Sequence, residues 1–112
     1  MKMEEKVVGD VVVLELAGKI MAGPDASLLN EKLYDLIETG KNKIVADLRK
    51  VEWMNSSGLG ILISGLTTMR NHDGDLKLAS ITERIQSLLM ITKLLTVFET
   101  FDTVEKAVDS FN

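Results

Sequence analysis

The sequence predicts an α/β domain, a small mixed β-sheet flanked by about four helices, and three observations predict it. Two β-branched runs near the start, Lys6-Val7-Val8 and Val11 to Ala17, are separated only by Gly9-Asp10, a pair suited to a type II′ hairpin turn. Amphipathic stretches of helical period then alternate with short apolar runs, an order that implies a right-handed parallel crossover. The 112 residues are 46% hydrophobic and 27% charged, the balance of one globular domain spanning residues 1–112. Such a chain can bury roughly 65% of its unfolded surface.

Each element follows in turn. Gly18 closes the second run, and Lys19-Ile20-Met21-Ala22-Gly23-Pro24 reads as a loop ahead of Asp25, which can cap a helix. In that helix Ala26, Leu29, Leu33, Leu36 and Ile37 share one face, and Gly40 is placed to end it. Lys43 to Leu48 is a nearly continuous apolar run, as expected of an interior strand covered on both sides. Asn55-Ser56-Ser57-Gly58 breaks the pattern, after which Leu59, Leu62, Ile63, Leu66 and Met69 return to helical spacing. Gly58, Gly60 and Gly65 weaken this second helix by about 1 kcal/mol each relative to alanine. Their presence points to close backbone packing or to a tolerant buried helix.

Asp73-Gly74 turns the chain into a strand over Leu76 to Ala79. Ser80-Ile81-Thr82-Glu83 has capping-box spacing, and Ile81, Ile85, Leu88 and Leu89 form the stripe of a third helix. A short strand around Val97-Phe98 precedes a second capping-box spacing, Asp102-Thr103-Val104-Glu105. The last helix turns Val104, Ala107, Val108 and Phe111 inward.

Composition removes whole classes of function. Without cysteine there is no disulfide framework, thiolate nucleophile or sulfur-ligated metal, and one histidine, His72, makes no His-rich site. A net charge of −4 with no basic block argues against direct nucleic-acid binding, and only 4% aromatic residues leave no base-stacking platform. The first residues, Met1-Lys2-Met3-Glu4-Glu5, have no apolar signal core, and no apolar stretch nears the ~18 residues of a membrane span. A cytoplasmic protein without membrane insertion, metal or cofactor is expected. The acidic pairs Glu4/Glu5 and Asp73/Asp75 read as solvated surface charge.

Chemistry has one candidate place. Asn55-Ser56-Ser57-Gly58-Leu59-Gly60 is the only cluster of small polar and glycine residues at a strand-to-helix junction, where open α/β sheets keep their sites. Ser56 or Ser57 can equally serve as a plain helix cap. A serine nucleophile needs a base, and His72 lies fifteen residues along the helix from Ser57. At 1.5 Å per residue that is on the order of 20 Å. Gly58-Leu59-Gly60 also lacks the lysine of a P-loop and the spacing of a dinucleotide fold, which leaves nucleotide binding a remote alternative.

The segment from Asp47-Leu48 through Trp53-Met54-Asn55-Ser56-Ser57-Gly58-Leu59-Gly60 resembles the signature of STAS domains, particularly the bacterial anti-sigma factor antagonists. The resemblance extends over nearly the whole chain, from the opening hairpin to Glu105-Lys106-Ala107. It implies that Ser57, directly before the glycine, is the phosphoacceptor of a partner that is both anti-sigma factor and serine kinase. A serine phosphatase would reverse the modification, and phosphorylation would weaken binding to the anti-sigma factor. Asn55 and Met21 stand where the family commonly has acidic residues. An alternative within the same family is a docking subunit of a transport or signalling complex that does not switch by phosphorylation.

The expected docking surface joins two loops, Ile20 to Asp25 and Trp53 to Leu59, which should emerge at the same end of the sheet. Its residues are Met21, Ala22, Gly23, Asp25, Trp53, Asn55, Ser56, Ser57, Gly58 and Leu59. Met21, Trp53 and Met54 offer apolar contact there. Trp53 and Met54 could instead close the bottom of the core, and for Met54 burial is the expectation.

Overall fold

In the computed structural model, which describes residues 1–21 and 23–112, the hairpin forms as its turn residues require. Strand β1 (Lys2–Val8) pairs antiparallel with β2 (Val11–Ile20), with Val8 opposite Val11. Gly9 adopts φ +63° while Asp10 stays out of the left-handed region, as a type II′ turn demands. β1 begins at Lys2, earlier than expected, because the backbone of Lys2 to Glu5 finds a ladder partner in β2 whatever its side chains. Lys19 and Ile20, expected in a loop, extend β2.

Helix α1 (Pro24–Glu38) corrects the expectation for Asp25. Pro24 takes the first turn, Gly23 is the N-cap without a side-chain bond, and Asp25 lies inside the helix. Leu29, Leu33 and Leu36 are buried and Ile37 half-buried, but Ala26 is exposed. Gly40 ends the helix as expected. Its amide donates to the Ile37 carbonyl and that of Lys41 to the Leu36 carbonyl, a Schellman closure that its φ of +80° permits.

Strand β3 (Lys43–Met54) runs well past the predicted Leu48. It pairs parallel with β2, but the register slips twice: Glu15 opposes Asp47 and Ala17 opposes Lys50, then Gly18 opposes Val51 and Lys19 opposes Trp53. Each slip inserts an extra residue into β3, and such bulges break the period-two pattern that marks a strand. Helix α2 (Ser56–Arg70) leads to β4 (Asp75–Ala79), α3 (Glu83–Ile91), β5 (Thr100–Phe101) and α4 (Val104–Asp109). β5 forms after the predicted Val97-Phe98, and Phe98 packs into the core instead. Neither capping box forms as read. Thr82 caps α3, because Ser80 sits at φ +57°, and Thr103 rather than Asp102 caps α4.

The sheet has the order β1-β2-β3-β4-β5, with only β1 antiparallel to its neighbour. Alternation along the strands divides the core. Leu14, Leu16, Ile44, Leu48, Leu76 and Leu78 pack against α1, α2 and α3 on one face. Val11, Val13, Val45 and Ala79 meet Ala107 and Val108 of α4 on the other. The mixed sheet with four helices agrees with the fold expected from sequence.

Candidate functional site

β2 and β3 leave the sheet side by side, with Ile20 opposite Met54, so the two connections that follow them emerge together. Asn55 is extended, and its Oδ1 accepts a hydrogen bond from the Gly58 amide at 2.7 Å. Asn55 is thus the N-cap, a role the sequence reading gave to a serine. Ser56 and Ser57 take the first two helical positions and are exposed. Their own amides belong to the first turn, whose N–H groups have no partner within the helix.

Gly58 and Leu59 are buried and underlie the site without forming its surface. A Cβ on Gly58 would lie 2.8 Å from the Ile20 carbonyl carbon, nearer still to its oxygen, and 3.0 Å from Met54 Cγ. Gly65 is tight as well, with a Cβ there 3.1 Å from Leu33 Cδ1, whereas Gly60 faces open space. Close packing therefore explains two of the three helix glycines, against the β2 backbone at Gly58 and against leucine side chains at Gly65.

Across the gap, the Met21 amide donates to Asp25 Oδ2 at 3.0 Å, and Asp25 Oδ1 is 3.3 Å from the Met1 ammonium. Asp25 shapes the connection after β2 from inside α1. Met21 and Gly23 are exposed, and Ala22 lies outside the described residues. Met54 is buried, as expected, while Trp53 is half-buried. Both belong to β3, not to a loop.

Trp53 borders two adjoining grooves. One, of about 460 Å³, is lined by Lys19, Met21, Glu52, Trp53 and Arg84. The other, of about 480 Å³, runs from Trp53 and Met54 to Arg84, Leu88 and Ile91 of α3. Sequence reasoning missed this contribution of α3. Its signal was the pair Met90-Ile91, apolar yet outside the inward stripe; Ile91 is 79% exposed.

His72 lies beyond the far end of α2, its Nδ1 2.8 Å from the Thr68 carbonyl oxygen and its ring edge-on to Tyr34. Among the described residues no group of three His, Asp or Glu side chains could hold a metal ion. No described helix is long and apolar enough to cross a membrane.

A capped helix start carrying two exposed hydroxyls thus lies beside two adjoining grooves in which Met21, Trp53, Leu88 and Ile91 mix with the charged side chains of Lys19, Glu52, Glu83 and Arg84. The chain belongs to the STAS domain family, whose model matches residues 2–107. It is 31% identical over 105 residues to the TM1081 homolog of Thermotoga neapolitana, covering 93% of this chain and 92% of that one. It is 32% identical over 88 residues to the anti-sigma-B factor antagonist of Bacillus subtilis, 79% of each chain. The crystal structure of TM1081 from Thermotoga maritima matches with a TM-score of 0.82 and 28% identity over 96% of this chain and 92% of that one. The Bacillus cell fate determinant SpoIIAA in its phosphorylated form, 18% identical, shares the fold, with a TM-score of 0.75 over 99% and 100% of the two chains. By homology the chain falls among the anti-sigma factor antagonists, which are regulatory proteins.

Proposed function

We propose that this chain binds an anti-sigma factor that is also a serine kinase, and that reversible phosphorylation of Ser57 switches the binding. Unphosphorylated, it holds the anti-sigma factor and frees a sigma factor for transcription; phosphorylated, it lets go, and a serine phosphatase resets it in the cytoplasm. The chain is then a substrate and ligand, not a catalyst. The observation that carries this reading is the exposed Ser57 in the first turn of a helix pinned to the end of β2.

A phosphoserine carries about −1.5 to −2 charges at neutral pH. At a helix start it meets unpartnered amides and the positive end of the macrodipole, so the fold tolerates the charge. The partner does not, because the phosphate stands in the docking surface. That surface comprises Met21, Gly23, Trp53, Asn55, Ser56 and Ser57, with Arg84, Leu88 and Ile91 extending it along α3. Asp25, Gly58 and Leu59 contribute by holding its shape. The phosphorylated form named for SpoIIAA supports the same chemistry in a protein of this fold.

Incubating the chain with the anti-sigma kinase and ATP and reading intact mass tests the proposal. One phosphoryl increment, lost in Ser57→Ala, is expected. No increment, or one that survives Ser57→Ala, overturns the switch and leaves a docking domain of the kind that neutral Asn55 also suits.

A further inference from the structure

β1 is an outer strand of the sheet, and its far edge is unpaired among the described residues. In a two-residue hairpin the residues flanking the turn exchange both backbone hydrogen bonds, and bonded positions then alternate along the ladder. Val8 opposite Val11 therefore fixes Val8, Lys6, Glu4 and Lys2 as the residues whose backbone faces β2. The N–H and C=O groups of Met3, Glu5 and Val7 point outward. An open ladder of this kind is a template for a further strand.

We propose that the further strand is β1 of a second copy, paired antiparallel about a twofold axis at Glu5, so that two five-stranded sheets become one. The side chains select both the partner and the register. Symmetric pairing centred on Glu4 would oppose Glu4 to the partner's Glu4, and centring on Lys6 would oppose the two lysines. Centring on Glu5 sets Glu4 opposite the partner's Lys6 twice and uses the whole strand. Those positions are non-hydrogen-bonded pairs, where opposed side chains stand closest.

The surroundings fit that register. Lys6 Nζ is 3.2 Å from Glu15 Oε2, and Lys50 Nζ is 2.7 Å from Glu15 Oε1. The partner's Glu4 would continue a line of alternating charge. At the axis Glu5 meets the partner's Glu5, but each already has its own Lys32 Nζ at 2.6 Å. Val7, 55% exposed, would lie against the partner's Met3, and Val8, 46% exposed, under the partner's Lys2 stem. Both valines are otherwise large apolar side chains left in water. The twofold axis points the two Ser57 ends in opposite directions, so this pairing neither blocks nor depends on the proposed switch.

Light scattering and sedimentation of the full chain, from micromolar to millimolar concentration, test the pairing. The parent should dimerise, and Lys6→Glu and Glu4→Lys should each raise the dissociation constant at least about tenfold. An equimolar mixture of the two variants should dimerise again, because the reversed charges become complementary. Val7→Pro removes an outward N–H and no bond to β2, so it should be monomeric with the parent's circular dichroism. A parent that stays monomeric, a dimer that survives Val7→Pro, or a mixture that stays monomeric overturns the proposal. So does a monomer that adds an unrelated extended peptide along β1.

Discussion

Gly58 of α2 and Ile20 of β2 pack backbone to backbone: the Ile20 carbonyl occupies the place where a side chain on Gly58 would start. This contact ties the helix carrying Ser57 to the strand that launches the Met21 connection, so the two halves of the candidate site cannot shift independently. Gly58→Ala must push them apart. Overpacking of this kind costs about 1–3 kcal/mol, and here the obstacle is backbone, which cannot rotate away. Gly60→Ala, with open space around its Cβ, should instead stabilise α2 by about 0.5–1 kcal/mol. Urea denaturation of the two variants checks the opposed signs.

Asn55 caps α2 through the Gly58 amide. Asn55→Ala should lose about 1 kcal/mol. Asn55→Asp keeps the acceptor and adds a negative charge at the helix start, for a gain of about 0.3–1 kcal/mol. Melting temperatures in low salt should rank Asp above Asn above Ala, and added salt should narrow only the first gap.

Much of the fold was legible because its elements obey one period at a time. Leu29, Leu33 and Leu36 repeat with the helix, and Ile44 to Leu48 form a strand buried on both faces. The end of β3 was not legible, since Arg49, Lys50 and Glu52 interrupt the apolar pattern and the two bulges spoil its alternation. The first capping box failed for a conformational reason: Ser80 is committed to a left-handed turn, so Thr82 caps α3. At the site, the cluster Asn55 to Gly60 stood out as small polar and glycine residues at a strand-to-helix junction, and only the resemblance to STAS domains singled out Ser57 within it. The α3 wall beside Trp53 did not, because it meets Trp53 only once β3 is extended and folded under it.

The Glu15 carboxylate accepts hydrogen bonds from Lys50 and Lys6, which hold its pKa below the ordinary 4.5. The folded state thus binds this proton less readily than the unfolded chain does. The stabilisation is fully present above about pH 4.5 and is lost as pH falls through the lowered folded value. Glu15→Gln should therefore melt below the parent at neutral pH, and the gap should close in acid as the parent's carboxylate protonates. A pH series of thermal melts reads this directly.

Lys77 fastens α4 to the second face of the sheet. Its buried Nζ donates to Ser110 Oγ at 2.8 Å, pairs with Glu99 Oε2 at 3.0 Å and sits 4.2 Å from the Phe111 ring centroid. Lys77→Ala removes all three contacts and should cost about 1–3 kcal/mol. The loss should concentrate where the lysine reached: hydrogen exchange should accelerate across Val104–Asp109 before it does in α2.

Ser57→Asp separates an effect on the fold from an effect on the partner. Ser57 is exposed and lies one residue past the start of α2, so a carboxylate there loses no packing and meets the positive end of the helix. The domain should keep its circular dichroism and gain about 0.3–1 kcal/mol at low salt. Under the proposed switch, binding to an anti-sigma factor should nonetheless weaken, because the new charge would have to be desolvated within the docking surface. Calorimetry of folding and of binding on the same sample gives both signs. A Ser57→Asp protein that binds as tightly as the parent removes charge placement as the basis of the switch, and one that unfolds removes tolerance of the charge at this helix end.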